Sequence, residues 1–199
     1  MLKRLGLLGP GFLGLGGIAV AAVFVLGLAA LFSPPSITQT QAASDGIAAF
    51  NKIATVLQSP RCVNCHPAGD SPLNGDEGRP HRMDVVRGED NMGAPGERCY
   101  ACHRDENSKM SIVPGAPEWS LAPKSMSWQG LTHAELCHAL KDRKGNGDRD
   151  VPALIEHMST PLVMWGWNPG GDRKPVSIPH DEFIDLMKVW EAAGAPCPA

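Results

Sequence analysis

Two pentapeptides of the form Cys-x-x-Cys-His carry the chemistry of this 199-residue chain: Cys62-Val63-Asn64-Cys65-His66 and Cys99-Tyr100-Ala101-Cys102-His103. Two thiols three positions apart can add to the two vinyl groups of one porphyrin, and the next residue can bring an imidazole beneath its iron. The pattern predicts two covalently bound haem c groups. Cys62 and Cys65 would hold one, Cys99 and Cys102 the other, with His66 and His103 as the proximal iron ligands. Two other chemistries also use Cys-x-x-Cys. Zinc ribbons separate their pairs by about 15–20 residues; the interval here is much longer, and zinc gives no reason for a histidine after the second cysteine of both copies. A thioredoxin-like dithiol wants a βαβ context, and no alternating strands are visible near either motif.

The far side of each iron has several candidates. An axial methionine raises the potential relative to histidine, and a vacant position admits a ligand. For the first haem the leading candidate is His81, in the loop Arg79-Pro80-His81-Arg82-Met83, with Met83 and Met92 competing. For the second, His157 is favoured over Met126, with Met110 and His180 behind. The plainer alternatives are an exposed loop histidine at position 81 and a hydrogen-bonded helix-face histidine at 157. His133 and His138 read as ordinary helix residues. Arg61, Arg79, Arg82, Arg87, Arg98 and Arg104 flank the motifs. Their forks suit haem propionates, although a solvated basic patch or a face for an acidic redox partner would use the same residues.

The elements that must position these groups are mainly helical. Apolar positions Ile47, Phe50, Ile53, Ala54 and Leu57 recur at helical spacing, so a helix is expected from a cap at Ser44 to about Gln58, ended by Pro60. Residues 67–98 are dense in turn signals and predict a long loop wrapping a haem face. Thr132-His133-Ala134-Glu135 has the form of a capping box and opens a second helix. A third is expected over 151–159, with Pro152 in its first turn. The last covers 181–193, with Gly194 as its stop. Trp165-Gly166-Trp167 makes an aromatic turn expected to pack on a haem or on that last helix. Strands, where present, should be short. Six cysteines less four leave Cys137 and Cys197. In an oxidising compartment they most simply form a disulfide that pins the C-terminal tail to the second helix; two free thiols are the alternative.

Compartment follows from the N-terminus. After Lys3 and Arg4, residues 5–32 run without a charge. A secretory signal needs an apolar stretch of about 7–15 residues and a membrane span about 20. Residues 1–32 therefore read as a transmembrane anchor, with the positive flank left inside. A cleavable signal ending near Ala42-Ala43 is the alternative. Either way the remainder lies across the bacterial inner membrane, in the periplasm. Residues 33–43 read as a polar linker and 44–199 as one loop-rich haem domain. A net charge of −3 gives no basic signature of nucleic-acid binding.

These motifs resemble those of multihaem c-type cytochromes. Segments 61–67, 80–83, 115–126, 136–142, 154–157, 161–170 and 194–198 further resemble the small dihaem cytochrome subunits found beside molybdenum hydroxylases of the isoquinoline 1-oxidoreductase type. That resemblance implies a mainly α, cytochrome c-like domain accepting electrons from a dehydrogenase and relaying them to the respiratory chain. The expectation is thus an electron carrier. A peroxidase-like dihaem enzyme, with one open coordination site and Glu77, Glu97 or His81 as acid/base, is the main alternative. A haem-based gas sensor is a third, weakened by the lack of an attached signalling domain.

Overall fold

The computed structural model describes residues 37–199. The expected anchor or signal segment, residues 1–32, lies outside them. Among the described residues no helix is long and apolar enough to cross a membrane.

The chain is mainly helical with long irregular connections. Helix α1 (Ile37–Leu57) places Phe50, Ile53, Ala54 and Leu57 on one buried face, the spacing at which side chains stack along a helix. It starts earlier than expected. The expected helix start at a Ser44 cap is corrected here, because residues 37–43 are already helical. Nothing in that stretch breaks a helix, and Gln41 donates to Asp45 at 2.8 Å, one turn on. Helix α2 (Pro60–Val63) follows, with Ser59 as its extended N-cap and Pro60 in its first turn, where a missing N–H costs nothing. The first pentapeptide sits on this turn.

Residues 67–98 form the expected loop, tightened by one two-stranded antiparallel ladder. In it β1 (Leu73–Asn74) pairs with β2 (Arg79–Pro80), Leu73 opposite Pro80 and Asn74 opposite Arg79. Gly75 and Gly78 turn the hairpin at φ of +73° and +60°, a region that side-chain-bearing residues avoid. Helix α3 (Cys99–Cys102) is a single turn carrying the second pentapeptide.

Helix α4 (His133–Lys141) opens with the anticipated capping box: the Thr132 hydroxyl accepts from the Glu135 amide, and the Glu135 carboxylate accepts from Thr132 N–H at 2.8 Å. Helix α5 (Val151–His157) is capped by Asp150, which accepts from Ala153 N–H at 3.0 Å. After α6 (Pro161–Met164) and a 3-10 turn over Trp165–Trp167, α7 (His180–Ala192) closes the fold. The core lies where α1, α4, α5 and α7 meet. Phe50, Ile53, Leu136, Leu140, Phe183, Met187 and Trp190 are wholly buried there, each contributing about 1.5–3 kcal/mol for a large apolar side chain. Phe50 and Trp190 rings are tilted together at 5.0 Å. Cys137 and Cys197 form the expected disulfide, with Cα atoms 5.6 Å apart.

Candidate functional site

Each pentapeptide opens onto its own cavity. The first, about 250 Å³, is lined by Cys62, Cys65, His66, Met126, Trp128 and His157, among others. The second, about 510 Å³, is lined by Cys99, Cys102, His103, His81 and Met83. Arg61, Cys65, Trp119, Ser120 and Trp165 belong to both walls.

The two pentapeptide histidines are held alike. His66 donates Nδ1–H to the Met126 carbonyl at 2.6 Å and stacks on Trp128, ring centres 3.4 Å apart. His103 donates Nδ1–H to the Pro114 carbonyl at 2.8 Å and stacks on Trp119 at 4.6 Å. A carbonyl only accepts, so the nitrogen facing it carries the proton and Nε2 presents its lone pair. This is how proteins orient a metal-binding imidazole. Burial pushes the His66 imidazole down to about 3, partly opposed by its bond to Met126. Burial likewise lowers His103, against the pull of Pro114. Both rings are therefore neutral, the form that binds a metal.

The second histidine of each cavity comes from elsewhere. His81 follows β2; its amide donates to the Pro72 carbonyl at 2.8 Å and its Nδ1–H to the Arg82 carbonyl at 2.6 Å. Its ring lies 6.1 Å from that of His103, at 63°. His157 ends α5, and burial followed by the charge of Arg149 lowers its pKa. The cavities group these residues differently from the expectation: His157 lines the cavity of the first pentapeptide and His81 that of the second. Proximity in sequence suggested the opposite pairing. The hairpin carries His81 past the first motif, while α5 packs against α7 and returns His157 to α2.

The other candidates separate clearly. Met126 lines the first cavity and is buried, and its backbone carbonyl accepts from His66 Nδ1–H. Met83 lines the second cavity with a 76% exposed side chain, and Met110 is 98% exposed. His180 accepts no place in either wall; its Nε2 meets the Met158 carbonyl at 3.1 Å and its ring packs on Trp167. His133 is bonded to Asn51 and His138 is exposed, both ordinary helix residues as expected. Trp165 lines both cavities, and Trp167 lines the first while touching Phe183 of α7.

The cysteines differ by depth. Burial pushes the Cys65 thiol up to about 12 and Cys62 to about 11, and it raises Cys99 too. Cys102 is exposed. Among the described residues, no three His, Cys, Asp or Glu side chains gather closely enough to hold a metal ion by themselves.

Of the flanking arginines, Arg61 and Arg87 are buried. Arg87 staples the loop, donating to the Gly69 and Ala122 carbonyls and to Asn91. Arg98 forks onto Asp90 and lines the second cavity, whereas Arg79 stays exposed beside Glu77. Sequence reasoning missed Trp119, Trp128 and Asp76. The one available signal was five tryptophans against a single tyrosine in an aromatic-poor chain. Comparison of this chain with protein-family models, with curated proteins and with solved structures returned no match.

Proposed function

We propose that the chain is a dihaem c-type cytochrome that carries single electrons between protein partners. One observation bears most of the weight. An imidazole nitrogen sits about 2.0–2.1 Å from a first-row metal and about 1.1 Å from its own ring centre, so two imidazoles sharing one metal ion would have centres up to about 6.2–6.4 Å apart. The rings of His81 and His103 are 6.1 Å apart, beside two cysteines at thioether spacing.

The residues present fit the group, more readily in the second cavity. Its volume of about 510 Å³ lies within the range of roughly 300–1,000 Å³ usual for cofactor sites. The first cavity, about 250 Å³, is smaller, and a porphyrin there requires lining side chains to move. Met126 and Met158 are the adaptable ones. Trp128 Nε1 is buried without a hydrogen-bond partner, as expected of a side chain whose surroundings are incomplete.

In this reading Cys62, Cys65 and His66, with His157, would hold one haem, and Cys99, Cys102 and His103, with His81, would hold the other. When bound, each haem supplies one-electron Fe(III)/Fe(II) exchange. The chain's own work is to fix the imidazoles of His66, His81 and His103 by their Nδ1–H bonds and to leave one edge of the second site exposed. That edge bears Met83 and Ile112, 76% and 83% exposed, beside Arg82 and Arg98, a surface suited to brief contact with a dehydrogenase or a respiratory acceptor. The cytochrome c-like fold, the N-terminal membrane anchor and the periplasmic location belong to the same proposal.

Absorption and magnetic circular dichroism spectra test it. Two low-spin irons with bis-histidine signatures, unmoved by carbon monoxide, support the carrier. A high-spin, ligand-binding haem would instead favour the peroxidase-like reading.

A further inference from the structure

Arg61 stands where the two cavities meet. It immediately precedes the first cysteine of the first pentapeptide, yet it lines both walls. Its side chain is 3% exposed. Burying a guanidinium is costly unless its donors are satisfied. Among the described residues its one hydrogen-bond and ion-pair partner is Asp76, at the tip of the β1–β2 turn. Its flat face lies over Trp165 at 5.8 Å. Arg173, a lining residue of the second cavity, lies over the same ring at 6.0 Å. Burial lowers the Arg173 pKa, and the charge of Arg61 lowers it further. A guanidinium has five N–H donors in a fixed fork. A single Asp76 oxygen leaves several of them to the cavities.

We propose that Arg61 is a carboxylate receptor shared by both cavities, binding acidic groups of the cofactors on either side and setting both reduction potentials with one charge. The inference rests on the dihaem reading. A fixed positive charge stabilises the reduced, less positive state of any nearby redox centre. Its removal therefore lowers both potentials, not one. Trp165 is a positioning residue that supports the face of the fork, and Asp76 pairs one corner of it and offsets part of its charge.

The test is a spectroelectrochemical titration of full-length, haem-loaded protein carrying Arg61→Gln, Arg61→Lys or Asp76→Asn. With Arg61→Gln both reduction equilibria should fall about tenfold or more, which is 59 mV for a one-electron couple. Arg61→Lys, which keeps the charge, should restore most of both shifts. Asp76→Asn removes the competing anion and should raise both potentials, so the idea stays testable if Arg61→Gln does not mature. A shift confined to one haem, or absent from both, overturns the shared receptor. Haem content separates the layers of argument. Wild-type protein with fewer than two haems sinks the dihaem reading; two haems with unmoved potentials sink only the role of Arg61.

Discussion

Replacing Cys137 and Cys197 together by alanine isolates the contribution of the C-terminal clasp. The disulfide closes a loop of 60 residues, for which the chain-entropy model gives about 4 kcal/mol at 25 °C. The tail has other holds. Trp190 donates Nε1–H to the Pro196 carbonyl at 2.9 Å, and the Lys141 ammonium donates to the Ala195 carbonyl at 2.6 Å. At a net value of about 0.5–1.5 kcal/mol each, these bonds are together weaker than the cross-link. The tail also lies on Gly46, where a Cβ would come within 2.8 Å of the Pro196 ring. Alanine is the right substitution because Cys137 is wholly buried, and a serine hydroxyl there would lack a solvent partner. For a domain of this size the loss corresponds to a melting temperature lower by roughly 8–16 °C. Circular dichroism melts of the variant and wild type at equal haem content measure it. A drop below about 3 °C would show that the tail docks unaided and would refute the loop-closure argument.

Three further outcomes are expected. Thr132→Ala removes the oxygen that caps α4; it should cost about 1 kcal/mol and lower the melting temperature by roughly 2–4 °C without changing the haem spectrum. Gly115→Ala should disturb the second site selectively, since a Cβ there would fall 2.2 Å from the Glu106 carbonyl oxygen, next to the Pro114 carbonyl that orients His103. Its signature is a high-spin fraction of no more than one of two haems. His81→Ala and His157→Ala should each make one haem high-spin and open to carbon monoxide. Proteolytic haem-peptide mapping with spectroscopy of the fragments assigns the open iron to 99–103 for His81→Ala and to 62–66 for His157→Ala, and the reverse assignment would contradict the geometry.

What the sequence discloses here is what local chemistry dictates. The pentapeptides, the Thr132–Glu135 capping box and the leftover cysteine pair depend on residue types at short or countable separations, and the structure has the box and the disulfide where they were expected. The start of α1 escaped because Thr, Gln and Ala at 38–43 are permissive in a helix and equally common in linkers. Which cavity His81 and His157 each line escaped for a deeper reason. His81 reaches the second cavity because a two-residue ladder bends the loop back, and His157 reaches the first because α5 packs on α7. Neither is a property of nearby residues. Trp119 and Trp128 gave no spacing signal, since a stacking partner for an imidazole can come from anywhere in the chain. The acidic tip that meets Arg61 is likewise a product of the turn at Gly75 and Gly78.

The most direct test of the central claim is the intact mass and pyridine haemochrome spectrum of the protein expressed in a periplasm equipped for cytochrome c maturation. The expected product has the mass of the polypeptide plus two haems, a thioether-type spectrum, and haem on the peptides containing Cys62–Cys65 and Cys99–Cys102. A haem-free product carrying four free thiols, or zinc in place of iron, would contradict that claim.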